Sequence, residues 1–142
     1  MKNVLIDTDV LLDFFLDREP FSHNAARILS LCEKKEILGF ATPVIISNVY
    51  YLLSQKAKQE KVLGKLKDLL LIIDILIIDK KSILVALNSE FKDFEDAMQN
   101  YAAELNGNID LIITRNTKDF KKSQLAVLHP EEFLKSSTYY LK

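Results

Sequence analysis

The chain has 142 residues, and 19 Lys and Arg against 20 Asp and Glu leave a net charge of −1, so nothing pulls the whole molecule toward nucleic acid; such a partner would need a local basic patch. With 49% apolar and 27% charged residues it is a globular chain long enough to bury a real core, which excludes intrinsic disorder. The single cysteine, Cys32, excludes a disulfide framework and a cysteine-built zinc site, and suggests an intracellular home.

Apolar Val4-Leu5-Ile6 predicts a first strand that stops at Asp7. Asp9 is the expected N-cap of a short helix over residues 10–15, which leaves Asp7 without a local structural job. Asp13 and Asp17 read as solvated helix-face and turn residues. Phe21, Ala25, Ile28, Leu29 and Cys32 then recur at helical spacing behind Ser22 as N-cap. Cys32 on that face reads as a core residue.

Residues 37–41 predict a second strand, and Thr42-Pro43 starts a helix that buries Ile45, Ile46, Val49, Leu52 and Leu53. A helix over 60–71, a strand over 72–78 and a helix over 82–88 follow. A longer helix over 90–105, restarted at Asp93, ends at Gly107. Residues 109–114 form a fourth strand and 126–128 a short fifth, with His129 beyond it as a surface residue. Strands alternating with helices predict one α/β domain over residues 1–142, in three α/β/α layers around a parallel sheet of four to five strands. Asp7 arrives too early for a signal peptide, and the greasy stretch at 69–78 is too short to span a bilayer. A soluble, cytoplasmic protein is expected.

Acids gather at the element boundaries. Asp7 ends a strand, Asp93, Glu95 and Asp96 open a helix, and Asp119 lies in Thr114-Arg115-Asn116-Thr117-Lys118-Asp119-Phe120 after another strand. Each has a bland role as helix cap, dipole complement or loop residue. The carboxyl ends of parallel strands are nevertheless where ligands collect. Together these acids suit a hard divalent ion, which takes a few carboxylates, keeps water and activates it against a phosphodiester. Three unclustered glycines provide no phosphate loop, and two histidines make a Ser-His-Asp triad a poor alternative.

Three motifs, in order and spacing, resemble those of PIN domains over essentially the whole chain. They are Leu5-Ile6-Asp7-Thr8-Asp9-Val10-Leu11-Leu12-Asp13, Asp93-x-Glu95-Asp96-Ala97 continuing to Ala102-Ala103, and Ile112-Ile113-Thr114-Arg115-Asn116-Thr117-Lys118-Asp119-Phe120. The resemblance implies an Mg²⁺- or Mn²⁺-dependent endoribonuclease like the toxins of VapBC-type toxin–antitoxin pairs. It implies Asp7, Asp96 and Asp119 as catalytic and metal-binding residues, with Asp7 and Asp96 the chief metal ligands. Thr114 would line the site beside them, with Asp9, Asp93, Arg115 and Asn116 around it. Asp9 stands where the family often has asparagine. Asn48, in Asn48-x-Tyr50-Tyr51, stands where it usually has a glutamate, so the site has one negative charge fewer. The implied partners are RNA, an antitoxin protein and a second copy of the chain.

Two other readings compete. The missing glutamate favours a catalytically weak or inactive PIN-fold module that binds RNA or a partner. Asp7-Thr8-Asp9 also has the form of a HAD-like phosphatase motif, with Asp7 as covalent nucleophile. Val10 and Leu11 then stand where that family needs a small loop, and no lysine is clearly placed to steady a phosphoenzyme.

Overall fold

Val4, Leu5 and Ile6 are fully buried, as a central parallel strand covered on both faces requires. The computed structural model describes residues 1–136, so the domain expected over 1–142 runs past them to 137–142, which lie outside the described residues. The first strand, β1 (Asn3–Ile6), is followed by α1 (Thr8–Phe15), α2 (Ser22–Glu33), β2 (Leu38–Ala41), α3 (Pro43–Ser54), α4 (Gln59–Leu69) and β3 (Ile73–Ile75). Then come α5 (Lys80–Leu87), α6 (Phe94–Asn106), β4 (Leu111–Ile113), a 3₁₀ turn at Thr117–Phe120, β5 (Ala126–Leu128) and α7 (Pro130–Lys135).

All the strands pair in parallel, in the order β3-β2-β1-β4-β5. The chain builds outward from β1 to β3, then crosses back to β4 on the other side. Right-handed crossovers therefore put the helices of the first two connections on one face and α5 and α6 on the opposite one. This is the expected three-layer α/β/α architecture with a five-stranded sheet. The direction of winding reverses between β1 and β4, and the crevice at such a switch point is where open sheets bind ligands.

Helix ends differ from the sequence expectation in instructive ways. Asp7, not Asp9, caps α1, its side chain accepting from the Thr8 N–H at 2.8 Å. Helix α2 starts at Ser22 itself, with Phe21 before it and no side-chain cap. Thr42 caps α3 through Ile45 N–H, Asp93 caps α6 through Asp96 N–H, and Gly107 adopts φ 83 to end α6. Helix α7 had no counterpart in the apolar pattern. His129 opens it through a capping box with Glu132, so it is an N-cap rather than a bystander. Leu52 faces outward, while Ile45, Val49 and Leu53 are buried as expected.

Candidate active site

Register alone brings the ends of the chain together. Ile6 lies opposite Ile113 in the β1–β4 ladder, so Asp7 and Thr114 emerge side by side at the carboxyl end of the sheet. The Asp7 N–H donates to the Ile113 carbonyl at 3.0 Å, and the Thr114 hydroxyl to Asp7 Oδ2 at 2.8 Å. Thr114 is fully buried, and Asp7 is only 7% exposed. Burial, then the charge of Asp9, pushes the Asp7 carboxyl up to about 6 against the bonds from Thr114 and Thr8; Asp119 adds a smaller push.

Asp9 points toward the same rim. Its Oδ2 accepts from the Arg115 N–H at 3.1 Å, while its Oδ1 is buried without a hydrogen-bond partner among the described residues. Burial raises its carboxyl too. Behind it sits Asp13, which the sequence suggested was solvated but which is 1% exposed. Asp13 takes two bonds from the Arg115 guanidinium and one from Arg18, and Arg115 also stacks 3.9 Å from the Phe21 ring centroid. The Arg115 guanidinium ties the loop after β4 to helix α1.

Across the crevice, α3 contributes Asn48 and α6 contributes Asp93, Glu95, Asp96 and Gln99. With Asp7, Thr8, Asp9, Arg115 and Asn116 they line one open cleft of about 330 Å³. Burial and the neighbouring charges of Asp7, Asp93, Asp119 and Glu95 push Asp96 up to about 7. Asn48 Nδ2 donates to Glu95 Oε2 at 2.9 Å. Asp119 is exposed on the 3₁₀ turn and lines an adjoining depression with Asp93, Asp96, Lys92, Lys118 and Lys121. The structure thus brings Asp7 and Asp96 onto one cleft and sets Asp119 on its neighbour, with Asp93 and Asp96 shared by both.

The donors on the cleft are carboxylate, amide and hydroxyl oxygens, the hard set that suits Mg²⁺ or Mn²⁺. Among the described residues no three His, Cys, Asp or Glu side chains converge closely enough to ligate an ion between them. A hydrated ion that takes one or two carboxylates directly is compatible with that arrangement. The unpartnered Asp9 Oδ1 is the kind of acceptor such an ion or its water would satisfy. Asp7 and Asp96 are the residues that could hold it.

A family profile described as PIN domain matches residues 3–118. The chain belongs to the PIN-domain family. This PIN domain resembles the Rickettsia felis VapBC2 structure bound to promoter DNA, at 17% identity and a TM-score of 0.68 over 89% of this chain and 98% of that one. It resembles a toxin–antitoxin complex from Klebsiella pneumoniae at 25% identity and a TM-score of 0.65, over 89% and 97% of the two chains. FitAB bound to a DNA fragment is similar in fold, at 14% identity and a TM-score of 0.66, over 89% and 94%. No curated protein sequence matches the chain.

Gln99 was invisible to the sequence reading, and Glu95 was taken only as a first-turn acid. One signal could have found both. Residues 95, 96 and 99 are one turn apart or adjacent on α6, so an acid facing the cleft at 96 brings 99 with it.

Proposed function

We propose that this PIN domain, a single unit over residues 1–142, is an Mg²⁺- or Mn²⁺-dependent endoribonuclease acting as a toxin in the cytoplasm. The observation that carries the reading is Asp7 and Asp96 on one cleft, raised to about 6 and 7 by burial first and then by neighbouring carboxylates, Asp9 for Asp7 and Asp7 for Asp96. Carboxylates crowded in this way gain most from a cation between them. When bound, the cation supplies charge stabilisation and an activated water at the phosphodiester.

In this reading Asp7, oriented by the Thr8 N–H and the Thr114 hydroxyl, holds the ion together with Asp96. Asp119 adds negative charge from the adjoining depression. Lys92, Lys118 and Lys121 on that depression offer phosphate contacts to the RNA backbone. An antitoxin partner is supported by the toxin–antitoxin complex from Klebsiella pneumoniae among the similar structures. The exposed Leu84 and Leu87, one turn apart on α5, support pairing with a second copy. No helix of the described residues is long and apolar enough to cross a membrane.

The test is RNA cleavage by the purified chain with Mg²⁺ or Mn²⁺, with chelator, and with Asp7→Asn. Cleavage that stops in chelator and is abolished by Asp7→Asn is expected. Equal cleavage in chelator, or an unaffected Asp7→Asn variant, overturns the metal mechanism. The neutral Asn48 on the cleft favours a second reading, a PIN-fold module that binds RNA or a partner without cutting. RNA binding with no cleavage under either metal selects it.

A further inference from the structure

Two side chains on the cleft have no part in the reading above. Glu95 is exposed, yet its carboxylate is tied across the cleft to Asn48 of α3, 47 residues away in sequence, at 2.9 Å. Gln99, one turn further along α6, is 2% exposed and lines the same cleft. Its Oε1 is buried without a hydrogen-bond partner among the described residues. A buried acceptor without a donor is costly, and its persistence beside a cleft points to a donor supplied from the cleft.

The Glu95 carboxylate and the Gln99 carbonyl oxygen offer acceptors only. The ligand that suits them presents donors on its outer surface. A hydrated divalent cation does so, because every water it keeps turns its O–H groups outward. Resting on the metal-dependent reading, we propose that Glu95, positioned by Asn48, and Gln99 grip the water shell of the cation held by Asp7 and Asp96. Asn48 is then a positioning residue. A neutral amide is what its place requires, because a carboxylate there would repel Glu95 at hydrogen-bond distance. The acidic function missing at residue 48 is supplied from residue 95.

The experiment is calorimetric titration of the purified chain with Mn²⁺, without RNA, alongside thermal melting in chelator. Glu95→Gln is expected to weaken Mn²⁺ binding roughly 10-fold, the scale of an outer-shell partner. Asn48→Ala should give part of that loss in the wild type and none in the Glu95→Gln background. Gln99→Met should weaken Mn²⁺ binding while the metal-free melting temperature holds or rises, since the unpartnered oxygen is gone. Unchanged Mn²⁺ affinity in Glu95→Gln and Gln99→Met, with Asp7→Asn losing it, overturns this inference and leaves the metal reading standing. A Gln99→Met variant that only lowers the metal-free melting temperature makes that residue structural and overturns its part. Wild-type affinity in Asp7→Asn fails the metal reading itself, and the outer shell with it.

Discussion

Arg115 reaches Asp13 across 102 residues of sequence, donating from Nε to Oδ2 at 2.6 Å and from Nη2 to Oδ1 at 3.1 Å. With Arg18 bound to the same carboxylate, this pair joins the loop after β4 to the body of α1. Removing the acid takes a nearly buried carboxylate away from two partly exposed guanidinium groups that share it. Asp13→Ala is therefore expected to destabilise the fold by about 3 kcal/mol. Urea unfolding followed by circular dichroism reads the change, and a loss under about 1 kcal/mol would show the pair to be ornamental.

Asp7→Asn should strengthen the fold while removing the charge of the cleft. The folded-state carboxyl at about 6 lies above its ordinary 3.8, so the folded state keeps the proton longer than the unfolded chain does. The stability associated with that proton is fully present below about pH 4 and is lost as pH rises through about 6. Asparagine escapes the loss. Its advantage over wild type should be on the order of 2 kcal/mol at pH 7.5, in the absence of divalent metal, and should shrink toward zero near pH 4. Parallel melts across that range check both the size and the direction.

Thr114→Val isolates the hydroxyl that favours ionised Asp7. Valine keeps the buried volume but removes the donor to Asp7 and the acceptor for the Asn116 N–H. The Asp7 carboxyl should move further up from about 6, so the acid limb of the cleavage profile shifts toward higher pH. A stability cost of about 1–2 kcal/mol is expected from the unpaired Asn116 donor. An unshifted limb would separate Asp7 from the rate-controlling ionisation.

Gly39 is fixed by space. A Cβ there would sit 2.6 Å from Cys32 Sγ and 3.0 Å from Ile73 Cγ2. Gly39→Ala should cost about 1–3 kcal/mol by overpacking, and Cys32→Ala in the same chain should recover part of it. A double-mutant cycle measures the recovery. Cys32 itself is a packing residue with its thiol pushed up to about 12 by burial, so thiol reagents should label the folded protein slowly.

The sheet was readable because a strand buried on both faces must be apolar throughout, as Val4 to Ile6 and Leu111 to Ile113 are. What escaped was set by partners far away in sequence. Asp7 and Asp9 satisfy the capping rule equally well, and only the β1–β4 register makes Asp7 the cap. Asp13 looks solvated until Arg115 arrives from the other end of the chain. Helix α7 went unseen because its six residues include a proline and two glutamates, and its cap is a histidine. The strand-end acids of the cleft could be named in advance. Gln99, between Met98 and Asn100, could be found only by its spacing from Asp96, once that acid was placed on the cleft.

The position of β1 in the sheet sets a timetable. Synthesis runs from the N-terminus, and the first 75 residues can complete only the β3-β2-β1 half. The other edge of β1 stays open until β4 is made, and Asp7 waits 107 residues for the hydroxyl that orients it. Helix α6, with Asp96, arrives scarcely earlier. A nascent or prematurely terminated chain therefore carries the first acid of the cleft but not the cleft. Whatever chemistry the finished domain performs is withheld from the ribosome until α6 and β4 have both been made.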